Sequence, residues 1–294
     1  MNKKKLGLLA LSVGVSGSVL FASGFSAMAS STSGYDQYKT AFKQTKAVQN
    51  VTGDLSVSVK DNGKNLFAID STIKEDIKNH EGSGKINIQE NGKTQTLYVY
   101  KQGDKKIFKS SDSNIYYVTQ EKEKKHHDRK YHRGEHDQDV EYVIDALMGG
   151  LRNDVHAVNK GNGGKEVTLT LSGSQISPVV QALGSVFVKH ATEKHEYGDH
   201  HKLPFFKEEE WKSSLPKLTQ DIKIKQVSTK AEINKQNLIQ EQTAQLIVTG
   251  KDAAGKEHEV TVNIKLDLSQ FNHTVTDKVE LKGKKVETIQ RENH

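Results

Sequence analysis

Residues 55–73 read LSVSVKDNGKNLFAIDSTI. Leu55, Val57 and Val59 alternate with Ser56, Ser58 and Lys60, so one side of the segment is apolar and the other wet, the period-two pattern of a half-buried strand. DNGK, at 61–64, follows, and Asn-Gly between two such runs is a strong hairpin signal because both residues tolerate the left-handed backbone of a tight turn. LFAIDSTI then returns as the second strand. Working outward, KINIQ is a third, ENGK turns into TLYVY, and KIFK and NIYYVT follow, separated by QGDKK and SSDS. About six strands in meander order result, each paired with its predecessor by a short loop.

Upstream, Tyr35, Tyr38, Ala41, Phe42 and Thr45 recur at helical spacing and form a short amphipathic helix ahead of Gly53. Downstream the pattern stops at residues 121–139, EKEKKHHDRKYHRGEHDQD, which carry no apolar periodicity and read as a long solvated loop. Val140, Val143, Ile144, Leu147, Met148 and Leu151 then mark a first central helix, weakened near its end by Gly149 and Gly150. GNGGK turns into the strand EVTLTLS. Ser174 or Ser177 caps a second central helix with Pro178 in its first turn, and Ile176, Val179, Val180, Leu183, Val186 and Phe187 make its apolar stripe. A second histidine-rich stretch spans 189–203. The remainder is β again, through DIKIKQVSTKAEI, NLIQEQTAQLIVTG and EVTVNIKLDLS, the last alternating cleanly as an antiparallel strand wet on one face. The sum is an α+β, mainly β chain of about ten strands. No linker divides it, and neither β region closes a core alone, so residues 30–294 read as one domain.

The first 29 residues, three lysines followed by an uncharged run ending in Ala27-Met28-Ala29, read as a secretory signal peptide cleaved after Ala29. Its removal takes those three lysines away and lowers the formal charge from +6 to +3, so the basic pI of 9.1 gives no sign of nucleic-acid binding. The expected location is secreted or in the cell envelope. The chain contains no cysteine, which excludes disulfides, a thiol nucleophile and a lipid-modified cysteine at the cleavage site. A chain of this size holds together instead through one large core. Lysines dispersed along alternating strands keep a sheet face and its edges soluble, and allow weak, salt-sensitive contact with anionic cell-wall polymer or a membrane surface.

The segment HRGEHD, residues 132–137, matches the H-x-x-E-H pattern of a zinc hydrolase, with His132 and His136 as ligands and Glu135 as base. Such a helix must be buried to exclude water from the metal. Its neighbours here are Lys130, Tyr131, Arg133, Gly134, Asp137 and Asp139, which pack nothing, so the match reads as a solvated loop and not as a protease site. Glu208, Glu209 and Glu210 before Trp211 read as a solvated helix start. G-x-S-x-G and G-x-x-x-x-G-K-[ST] are both absent, and no carboxylate pair stands out for acid–base work, so the expectation is a protein that is not an enzyme.

The order of elements resembles the LolA/LolB-like superfamily of exported lipoprotein carriers and envelope lipoproteins. The starting helix SGYDQYKTAF and the central SGSQISPVVQAL also resemble secreted Gram-positive proteins of uncharacterised function. The superfamily implies a strongly curved, unclosed antiparallel half-barrel covered by an N-terminal helix and two central helices. It also implies an apolar cavity for a lipid or acyl chain, or a scaffold for envelope protein contacts. Leu147, Val180, Leu183 and Phe187 are the expected apolar lining. An alternative is a surface protein-interaction or sensory module whose core is filled.

Eight of the thirteen histidines fall in two tracts, His126, His127, His132 and His136, then His190, His195, His200 and His201. Such tracts suit weak, exchangeable zinc, nickel or copper binding, or proton binding, with no fixed catalytic metal.

Overall fold

The computed structural model describes residues 33–120, 151–178, 180–182, 185 and 215–289. Helix α1 (Gly34–Lys46) leads into six strands, β1 (Asn50–Asp61), β2 (Lys64–Asp76), β3 (Glu81–Glu90), β4 (Lys93–Gln102), β5 (Lys105–Ser110) and β6 (Ile115–Gln120). After the intervening segment come β7 (Val155–Asn159), β8 (Lys165–Ser172), β9 (Gln220–Ile233), β10 (Ile239–Lys251), β11 (Glu257–Ser269) and β12 (Lys285–Thr288). All twelve strands belong to one open sheet, in the order β12-β6-β5-β4-β3-β2-β1-β11-β10-β9-β8-β7. Two meanders, β1–β6 and β7–β11, are therefore joined side by side where β1 pairs antiparallel with β11.

The expectation of about ten strands, all antiparallel, is corrected to twelve among the described residues, with one parallel pair. β7 was missed because its five residues are too short to display a period, and because Val158 points its side chain into solvent, 62% exposed. β12 was missed because all four of its residues are exposed and it exists only by pairing in parallel with the distant β6. The helical cover also differs in extent. Helix α1 lies over β7, β8, β9 and β10. The second central helix is seen at its start, from Pro178, and the first, residues 140–150, lies outside the described residues.

The hairpins are local consequences of sequence. Asn62 and Gly63, and again Asn91 and Gly92, all hold positive φ, between 48° and 81°, which is the type I′ turn that matches strand twist. α1 begins where the Ser33 hydroxyl accepts a hydrogen bond from the Asp36 backbone N–H at 3.2 Å, with Asp36 in the first turn and Lys43 and Lys46 in the last, each favourable to the helix dipole.

Register does the rest. Side chains opposite one another across paired strands share a face, so the pairing aligns one row over ten strands: Ala157, Val167, Ala231, Gln242 and Leu266, then Leu55, Ser71, Ile86, Leu97 and Ser110. Every member but Ala157 is buried. This row is the midline of the apolar face. The neighbouring positions, Ser56, Asp70, Lys265 and their equivalents, point to the opposite, polar face.

Candidate functional site

The helical side of the apolar face is filled. Tyr38 and Phe42 stack on α1, and with Ala41 they pack on Val167, Ile233 and Ile239. A second cluster joins Tyr35, Leu151, Leu169, Leu171, Ile176 and Ile224, with Val180 packed against it. Ser177, not Ser174, caps the second central helix, through the Val180 N–H at 3.4 Å. Of the four expected ligand-lining residues, Val180 therefore serves the core at this point, while Leu147, Leu183 and Phe187 lie outside the described residues.

Gln181 is a residue that sequence reasoning missed. A bulge shifts the β9–β10 register near Ile224, and the Gln181 side chain meets that backbone twice: its amide donates to the Ile224 carbonyl at 2.8 Å, and its oxygen accepts the Ile224 N–H at 2.7 Å. This double bond ties the start of the second central helix to the sheet.

The apolar face continues well beyond α1. Val57, Val59, Ile69, Ile88, Val262 and Ile264, on β1, β2, β3 and β11, all point to the helix side and are half-buried. At roughly 4.8 Å per strand, α1 over four strands covers less than half of a face that is ten strands wide.

The polar face carries a groove. Its volume is about 660 Å³ and its lining runs across six neighbouring strands, from Ala68 and Asp70 on β2 to Thr168 and Thr170 on β8. Along its floor an amide ladder passes from Gln226 to Gln245 (3.4 Å), Gln245 to Asn263 (2.8 Å) and Asn263 to the Ser58 hydroxyl (3.4 Å). One rim is an ion network. Lys230 bonds Glu232 (3.0 Å) and Glu241 (3.1 Å), and Lys265 bonds Glu241 (3.1 Å) and Asp267 (3.0 Å). Hydrogen bonds from Lys265 and then Lys230 hold the Glu241 carboxyl below its usual range, and the bond to Glu232, then that to Glu241, holds the Lys230 ammonium above its own.

A strap of chain also crosses the polar face. Thr274 meets Thr52 on β1 at 2.9 Å, Asp277 pairs with Lys74 on β2 at 2.9 Å, and the Val279 N–H donates to Gln102 on β4 at 2.8 Å. Six residues, 274–279, thus span three strand spacings, about 14 Å, so the segment runs largely extended. The strap ends as β12, beside β6, with Lys284 over the Tyr116 ring at 4.7 Å. Nothing in the sequence of 270–284 marks it as a strap.

All eight histidines of the two tracts, and the HRGEH match, lie outside the described residues. Among the described residues, no cluster of histidine, aspartate and glutamate is arranged to hold a metal ion. The described His258 is buried between the tips of two hairpins, with Nδ1 2.9 Å from Asp61 Oδ2 and Nε2 3.4 Å from Asp252 Oδ2. No described helix is long and apolar enough to cross a membrane.

Comparison with known proteins returns little. No protein-family description matches the chain, and no curated protein matches it. Among solved structures, it is similar to a DUF1329 family protein from Desulfovibrio piger, at 11% identity over 83% of this chain and 93% of that one, with a TM-score of 0.22. That overlap is too low to argue from, so the functional reading rests on the sheet itself.

Proposed function

We propose that this protein is an exported cell-envelope binding protein that takes an apolar ligand, an acyl chain or comparable lipid, against the apolar face of its open sheet. The observation that carries this reading is the mismatch between that face and its described cover. α1 lies over β7–β10, while Val57, Ile69, Ile88 and Ile264 continue the apolar surface half-buried beyond it. Predominantly apolar surface with few polar groups is what lipid and drug-sized ligands use. The signal-like first 29 residues support export, and the remainder of the expected stripe, Leu147, Leu183 and Phe187, would supply the opposite wall. The competing reading, an interaction module with a completely filled core, places the same side chains in contact with the protein's own helices.

The test is titration with a fluorescent fatty acid. Saturable binding by the wild type that weakens in Ile69→Ser and Ile88→Ser, with unchanged circular dichroism, supports the proposal. Absence of saturable binding, or equal binding by both variants, contradicts it.

A further inference from the structure

The geometry points to a second binding site, the groove on the polar face, for a linear glycan strand without charge along its backbone. Its lining excludes other ligand classes in turn. It offers no apolar wall for a lipid: the side chains facing it are serine, threonine, amide and charged groups with Ala68 at one end, while the apolar lining residues Val57, Ala244 and Ile264 belong by register to the opposite face of the sheet. It offers no free cation for a polyanion either. Lys230 and Lys265 both stand in the groove, and each is bonded to two carboxylates, so their charge is already neutralised on the rim.

What the groove does offer is spare hydrogen-bonding capacity. The hydroxyls of Thr168, Thr170, Ser228 and Thr243, on β8, β9 and β10, make no side-chain hydrogen bond to any described residue, in contrast to the amide ladder beside them. Each hydroxyl donates once and accepts twice, so the set matches a partner that is itself built of hydroxyls and amides. The groove also crosses the strands instead of following one. Its polar groups therefore repeat at the strand spacing, near 4.8 Å, and an extended pyranose chain advances by close to that distance per sugar. The groove and the apolar face lie on opposite sides of the sheet, so this site stands whether or not the other takes a lipid.

The probe is a linear hexasaccharide of β-1,4-linked N-acetylglucosamine, followed by NMR titration of the full chain and by co-sedimentation with cell-wall sacculi stripped of anionic polymer. The wild type is expected to show saturable shifts confined to the six strands that line the groove, β8, β9, β10, β11, β1 and β2. Thr168→Val, Thr170→Val and Thr243→Val combined keep the β-branched shape while removing three hydroxyls, and should weaken binding about tenfold or more. No saturable binding, or equal binding by the folded triple variant, overturns the proposal. So does binding only to walls that retain anionic polymer and that is lost in high salt.

Discussion

The Tyr38 hydroxyl donates a hydrogen bond to Gln242 Oε1 at 3.1 Å, joining the middle of α1 to the midline row of the sheet. Gln242 is, with Ser71 and Ser110, one of three polar side chains buried in a mainly apolar row, and this contact is why its amide is tolerated there. Burial pushes the Tyr38 hydroxyl up to about 12, against a smaller opposing effect of the Gln242 bond.

Tyr38→Phe should therefore cost about 1–3 kcal/mol at neutral pH, because Gln242 loses its donor. The pH response follows from the sign of the shift. A phenol whose folded value lies above its unfolded value stabilises fully below pH 10 and loses that contribution as pH rises toward 12. Urea unfolding at stepped pH should show the gap between wild type and Tyr38→Phe narrowing by about 1–2 kcal/mol across that window. A gap independent of pH would contradict the placement of this hydroxyl.

Within the same row, two substitutions should act in opposite directions. Leu97 is 2% exposed, so Leu97→Ala should destabilise by about 2–5 kcal/mol. The Ser71 hydroxyl is buried with no hydrogen-bond partner among the described residues, so Ser71→Ala should stabilise, by about 1 kcal/mol. Chemical denaturation of both checks the register; a destabilised Ser71→Ala would mean the row is misaligned.

Gly34 opens α1, where alanine is ordinarily the better helix former. Here an added Cβ would sit 2.6 Å from the Val155 backbone carbonyl of β7, which cannot swing aside. Gly34→Ala should lower stability by about 1–3 kcal/mol and loosen α1 from β7, read as faster hydrogen exchange in 155–159. A neutral or stabilising effect would place α1 farther from the sheet.

The β1–β2 hairpin was legible because alternation and an Asn-Gly turn are local signals that agree. α1 was legible from its helical spacing, and the strands β3–β6, β8 and β9–β11 from local patterns bounded by turn residues. β12 and the strap were not, since the strap is held by contacts such as Asp277 to Lys74 that join residues 203 apart in the chain. The polar groove was hidden in another way. Thr168, Ser228 and Thr243 each look like ordinary wet-face residues of separate strands, and only the non-local pairing brings them side by side. Gln181 carried no signal, because the need for it arises from a bulge in β9 that sequence does not announce.

The histidine tracts make a separate, solution-level prediction. Wild-type protein titrated with zinc near neutral pH should show weak, exchangeable binding that disappears when His126, His127, His132, His136, His190, His195, His200 and His201 are changed to asparagine. Equal heats for the two proteins would leave the tracts as polar loops.

The central claim is that the apolar face of the sheet receives a ligand. Native mass spectrometry of the protein purified from its own host's envelope tests it most directly. The account predicts a discrete adduct of lipid mass that is removed by organic extraction, and that is diminished in Ile69→Ser and Ile88→Ser. A single unadorned mass, from protein that also fails to take up added fatty acid, would contradict it and leave a filled core in its place.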